Sequence, residues 1–156
     1  MQLKWLMNGK IKMATSLKYK SILLILGLSN LVFTANATGF EHCFNLASDR
    51  YKIPTKLLKA VAMTESKLNP MAININKNRS YDIGLMQINS TWLPKLNRVG
   101  ISQTDLLDGC KNIQVGAWIL ASNIKQYGFN AKAIGAYNSP TPINQEKYAR
   151  KVLGNM

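Results

Sequence analysis

Apolar side chains along this chain first form one block near the start and afterwards recur in helical stripes. The block spans residues 22–33 and is broken by Gly27, Ser29 and Asn30. Beyond it, Cys43, Phe44 and Ala47 fall at helical spacing within residues 41–51, and Pro54 is placed to open a second helix in which Leu57, Leu58, Val61 and Ala62 repeat on one face. Asn69-Pro70 is expected to end that helix, because the residue before a proline is pushed out of helical backbone. The stripe then lapses. Residues 71–89 are polar and asparagine-rich (Asn74, Asn76, Asn78) as far as Ile83-Gly84-Leu85-Met86-Gln87-Ile88-Asn89, a segment bounded by turn formers that predicts a small hairpin or an irregular turn. Ile113, Val115, Trp118, Ile119 and Ile124 restore the helical spacing and predict a long buried helix over residues 112–127, closed by Gly128. Two more helices are expected over residues 131–137 and 144–153, separated by Pro140 and Pro142. With no internal repeat or linker, the pattern describes one mainly α domain.

The leading block reads as an address. Lys10, Lys12, Lys18 and Lys20 precede it, and Ala35-Asn36-Ala37 follows with small residues where a signal peptidase reads. Residues 1–37 are therefore expected to be a secretory signal peptide, cleaved after Ala37 to leave an exported domain over residues 38–156. An uncleaved anchor is the alternative, although the block falls short of the roughly 20 apolar residues a membrane span needs. The basic stretch before the block is long, and Met13 would make a tidier start than Met1.

Composition narrows the chemistry. The chain has 20 Lys plus Arg against 7 Asp plus Glu, a net +13, and losing the five lysines of the leader would leave +8. Export makes a Cys43–Cys110 disulfide the expected state of the two cysteines, since the compartment is oxidising and their number even; two free buried thiols are the alternative. Closing that loop would stabilise the fold by about 4 kcal/mol in the chain-entropy account. One histidine, His42, and two cysteines are too few soft ligands for a protein zinc site, and no Gly-rich phosphate loop occurs, so neither metal nor cofactor is expected. The basic residues are scattered, without aromatic interleaving or a helix-turn-helix pattern, which argues against nucleic acid as partner. His42 reads as a surface residue, Trp118 as core, Trp92 as packed in the domain or bordering a cleft, and Lys147, Arg150 and Lys151 as a solvated face.

With seven carboxylates in the chain, each position carries information. Glu65 follows Val61-Ala62-Met63-Thr64 near the end of an apolar helix and faces the polar loop. A partly desolvated carboxyl there disfavours its charged form, so it can hold a proton near neutrality and donate it.

Glu65-Ser66-Lys67-Leu68-Asn69-Pro70, then Gly84-Leu85-Met86-Gln87-Ile88-Asn89, then Ala136-Tyr137-Asn138 together resemble, in order, the motifs of the lytic transglycosylases of the lysozyme superfamily. The resemblance covers about the whole chain after the leader and is nearest to the small exported enzymes that accompany type III and type IV secretion systems and pili. It implies a lysozyme-like fold, peptidoglycan glycan strands as substrate, a secretion or pilus component as partner, and a monomer. It also implies roles. Glu65 would be the acid and then the base, Ser66, Gln87 and Asn89 would meet the sugar, Met86 would pack beneath the cleft, and Tyr137 and Asn138 would support the glutamate and the glycan. Ser80-Tyr81-Asp82-Ile83-Gly84 departs from the simplest pattern and is similar to the segment of animal-type lysozymes that carries their second catalytic carboxylate. Asp82 matches that carboxylate, and its other reading is a brace for the turn before Gly84. The sequence leaves open whether Glu65 then activates the muramoyl 6-hydroxyl, giving a 1,6-anhydro sugar, or water, giving hydrolysis. A catalytically idle scaffold on the same fold is the competitor from another class.

Overall fold

Pro54, with φ of −54°, sets the chain direction for the helix that carries Glu65. That helix, α2 (Thr55–Ser66), follows α1 (Glu41–Tyr51), and both bury one face: Cys43, Phe44 and Ala47 from α1, and Leu57, Leu58, Ala60, Val61 and Ala62 from α2. The computed structural model describes residues 39–156, and the leader expected over residues 1–37 lies outside the described residues. Next come strands β1 (Ile73–Ile75), β2 (Tyr81–Ile83) and β3 (Ile88–Asn89), a 3-10 turn over Ser90–Trp92, the short α3 (Leu93–Asn97), a second 3-10 turn over Thr104–Leu107, the long α4 (Gly109–Tyr127), α5 (Ala131–Gly135) and α6 (Pro142–Gly154). The domain is mainly helical with one small antiparallel sheet, as the pattern predicts.

Cys43 and Cys110 form a disulfide with their Cα atoms 5.2 Å apart, tying α1 to the first turn of α4. α4 starts at Gly109, three residues before the expected point, because the Asp108 carboxylate accepts the Lys111 N–H at 2.9 Å and caps the helix. α2 ends at Ser66, short of Asn69-Pro70. Lys67 and Leu68 turn there through left-handed backbone, with φ of 57° and 65°. The Ser66 hydroxyl holds that turn, donating to the Leu85 carbonyl at 2.7 Å and accepting the Asn69 N–H at 3.0 Å. α5 stops at Gly135, two residues early, as its N–H···O=C bonds give way to turns through Tyr137 and Asn138.

The middle segment is a three-stranded meander in the order β1-β2-β3, one strand more than a hairpin. Its register places Asp82 opposite Asn74 on one side and Asn89 on the other. Between β2 and β3 the chain turns at Gly84, whose φ is +76°; a Cβ there would lie 2.3 Å from the Asn112 side chain. Asn112 is fully buried. Its Nδ2 donates to the carbonyls of Ile83 at 2.9 Å and Leu106 at 2.8 Å, and its Oδ1 accepts the Met86 N–H at 2.7 Å. One side chain of α4 thus satisfies three backbone groups of two loops inside the core, alongside Leu58, Val61, Leu85, Met86, Leu106, Ile113 and Leu120. Met86 presses against α4 where Gly116 leaves room: a Cβ at that position would fall 2.5 Å from its sulfur.

Asn112→Ala would strand a buried donor and two buried acceptors, each costing about 1–3 kcal/mol. The expected loss is about 3 kcal/mol or more, read as a lower denaturation midpoint with unchanged m-value; a loss below about 1 kcal/mol would show that the loop holds without this residue.

Candidate active site

Glu65 sits in the last turn of α2, where the helix has already buried its apolar face and the chain swings away. Its carboxyl opens onto a cleft of about 450 Å³ walled by the sheet and by α4, and bounded also by Tyr137 and Asn138. Burial pushes the Glu65 carboxyl up to about 7; the Tyr148 hydroxyl opposes this and the nearby Asp82 charge adds to it. Tyr148 comes from α6 and donates to Glu65 Oε1 at 2.5 Å. Its ring stacks on that of Tyr137, with centroids 6.4 Å apart and planes at 14°. Burial and the Glu65 charge hold both phenols well above the ordinary tyrosine range, so both are protonated donors. Tyr137 spends its proton elsewhere, on the Met86 carbonyl at 2.9 Å.

Asp82, on β2, lines the same cleft. Its oxygens accept from two side-chain amides, Asn89 Nδ2 at 2.7 Å and Asn76 Nδ2 at 2.9 Å. Both amides also reach the Ser80 hydroxyl, at 3.2 and 3.1 Å. A carboxylate held this way is oriented by donors and keeps its face toward the cleft. Gln87, at a positive φ of 49°, lines the cleft while its carboxamide closes the loop on itself: Nε2 donates to the Gly84 and Ala72 carbonyls and Oε1 accepts from Asn74.

The structure thus brings Glu65, Asp82, Gln87, Asn89, Tyr137 and Asn138 to one cleft. Met86 is buried below it. Ser66 is placed differently from a sugar-contacting residue: it is not among the residues lining the cleft, and its hydroxyl is taken up by Leu85 and Asn69. Asp82 both faces the cleft and, through Asn76 and Asn89, ties the β1–β2 turn to β3, so its placement is compatible with a catalytic role and with a bracing one. Trp92 takes both of its expected places, bordering the cleft and meeting the edge of Trp118 at 5.4 Å. Trp118 is half-buried, not core, with the Lys95 ammonium 4.6 Å from its ring centroid. His42 is on the surface, as expected.

Sequence reasoning missed Tyr148 as a partner of Glu65. Tyr148 shares a buried face of α6 with Gln145, Ala149 and Val152, so its spacing reads as core; only the fold, which brings together residues 83 apart in sequence, reveals the contact. Asn76 and Ser80 were visible only as members of a polar loop.

A helical domain that sets a protonated carboxyl and a second, amide-held carboxylate across one polar cleft defines a lysozyme-like glycan-cleaving enzyme. Residues 42–152 match the family model described as the transglycosylase SLT domain, and the chain belongs to that family of peptidoglycan lytic transglycosylases. It is 41% identical over 123 residues to the invasion protein IagB of Salmonella typhi, covering 76% of this chain and 77% of the relative. It is 38% identical over 110 residues to protein IpgF of Shigella flexneri, covering 70% and 72%. An Escherichia coli protein called X polypeptide is 43% identical over 123 residues, covering 78% and 73%.

The raised Glu65 has a stability consequence. The folded protein keeps a proton that the unfolded chain releases between pH 4.5 and about 7, so the stability this group contributes is full below 4.5 and is lost as pH rises through 7. Wild type is expected to lose up to about 3 kcal/mol between pH 4 and pH 8 that Glu65→Gln does not lose, as measured by paired denaturation curves; parallel pH dependence in the two proteins would refute a raised carboxyl. Because the Tyr148 hydrogen bond favours the charged form, Tyr148→Phe should move the alkaline limb of kcat/KM to higher pH. A limb that stays in place would mean that Tyr148 does not act through Glu65.

Proposed function

We propose that the enzyme cuts the β-1,4 bond between N-acetylmuramic acid and N-acetylglucosamine and releases a 1,6-anhydro-muramoyl product. The observation that carries the reading is Glu65 held at about 7 in a cleft it shares with Asp82. Protonated Glu65 gives its proton to the glycosidic oxygen, and the C1–O bond breaks as that oxygen leaves with the N-acetylglucosamine side. Positive charge develops on C1 and the ring oxygen of the muramoyl residue, where the Asp82 carboxylate, fixed by Asn76 and Asn89, stabilises it. Glu65, now ionised, takes the proton from the 6-hydroxyl of the same sugar as that oxygen closes on C1, which restores the acid for the next bond.

Hydrolysis by the same residues is the second reading, and Asp82 is the feature that favours it, since a carboxylate beneath the cation can hold it until water arrives. Family membership favours the anhydro course. Export by a leader over residues 1–37 would place the enzyme in the periplasm, where cutting single strands opens the wall locally for a secretion system or pilus. The name of one relative, an invasion protein, fits such service without specifying it.

Mass spectrometry of digested peptidoglycan is expected to show muropeptides lacking the elements of water relative to hydrolytic products; products carrying added water as the main species would assign hydrolysis. Glu65→Gln should lower the rate by about 10² to 10⁴, and Asp82→Asn by tenfold or more. A fully active Glu65→Gln protein would remove Glu65 from the mechanism, and a fully active Asp82→Asn protein would reduce Asp82 to a brace.

A further inference from the structure

Away from the cleft, Trp118 lines a second depression of about 550 Å³ between α1, α3 and α4. Its lining is apolar, and its lips carry Leu46 and Val99, 50% and 69% exposed. Apolar side chains left this open around a concavity of ligand-binding size mark a contact surface. Arg50, Lys95 and Lys111 stand around it, and among the described residues no Asp or Glu lines it. Lys111 is paired with Asp105, whereas Arg50 and Lys95 rest on aromatic rings and have no carboxylate partner among the described residues. Gln114 also lines the groove, and its amide oxygen is buried without a donor.

We infer that this groove docks an amphipathic helix of a partner protein, one with an apolar stripe flanked by acidic residues. Charge selects the sign: free cations on the rim and no acid in the lining call for carboxylates on the occupant. Backbone chemistry selects the form. Among the described residues the groove is lined by helices and the segment after α3, with no strand edge to pair an extended chain, so the occupant must satisfy its own N–H and C=O groups, as a helix does. A second copy fits poorly, since the exposed face of α6 presents Lys147, Arg150 and Lys151 against one acid, Glu146. The chain's own leader, with five lysines and no acid in residues 1–37, has the wrong charge as well. The inference goes beyond the reaction proposed above and is independent of its course.

The test is selection from a displayed library of 18-residue helices on the purified protein. Winners are expected to carry Leu, Ile or Phe at i, i+3/i+4 and i+7 with a net negative charge. Leu46→Asp and Val99→Asp should each weaken their binding at least tenfold while peptidoglycan cleavage is unchanged, since both side chains are on the lips of the groove and the substitutions leave the core intact. Lys95→Glu should weaken binding similarly, and replacing the facing glutamates of the peptide by lysines should restore it. Winners without acidic bias, or binding that survives Val99→Asp, would overturn the inference. So would a Val99-dependent uptake onto phosphatidylglycerol vesicles in the absence of peptide binding, or a Val99-dependent dimer in sedimentation, which would assign the groove to lipid or to a second copy.

Discussion

The arrangement depends on a carboxyl group that burial disfavours as an anion more strongly than the Tyr148 hydrogen bond favours it. A hydrogen bond to a charged acceptor contributes about 1.5–3 kcal/mol, and Tyr148 directs one at Glu65. Had that hydrogen bond prevailed, Glu65 would be an ordinary ionised glutamate with no proton to give at neutral pH. Desolvation wins by enough to hold the group at about 7. The phenol therefore trims the effect of burial without reversing it, which leaves both protonation states within reach near neutrality. An acid that must become a base within one turnover needs that balance.

The second carboxylate occupies the opposite environment a short way across the same cleft. Asp82 receives two amide donors in a loop rich in polar groups, whereas Glu65 receives one phenol and an apolar helix end. Two like groups in unlike surroundings divide the labour between proton donor and charge stabiliser. Their separation relies on the β2–β3 turn keeping its place, and that turn is fastened from below by Asn112 and from the side by Ser66. The turn that carries Met86 is thus fixed in part by two residues, Asn112 and Ser66, that do not line the cleft.

Much of this was legible because the relevant signals are local. Glu65 ends an apolar stripe, scarcity draws attention to each carboxylate, and ordered short motifs gather the rest. The helix bodies followed from spacing, but their ends did not: α2 stops early because Ser66 is captured by Leu85, nineteen residues on, and α4 starts early because of the Asp108 cap. The third strand escaped because it is only three residues long and lies in an asparagine-rich stretch, where the alternation of Ile73, Asn74 and Ile75 is too short to stand out. Tyr148 and Asn112 escaped for the reverse reason, since both are buried on helix faces where polar atoms look like errors in an apolar stripe until their distant partners are known. Ser66 was misplaced because adjacency to Glu65 in sequence does not make its hydroxyl face the same way.

Where the few acids lie also explains how a strongly basic protein runs acid chemistry. Asp105 and Asp108 are engaged at the start of α4, and Glu41 and Glu146 in surface ion pairs, while Glu65 and Asp82 face the cleft. Among the described residues one cation, Lys77, lines that cleft, and it is exposed. A lysine or arginine nearer Glu65 would stabilise its anion and pull the carboxyl back toward the ordinary glutamate range. The basic surface can therefore attract an anionic polymer over a distance of about a Debye length, while the interior of the cleft stays free of the positive charge that would take its proton away.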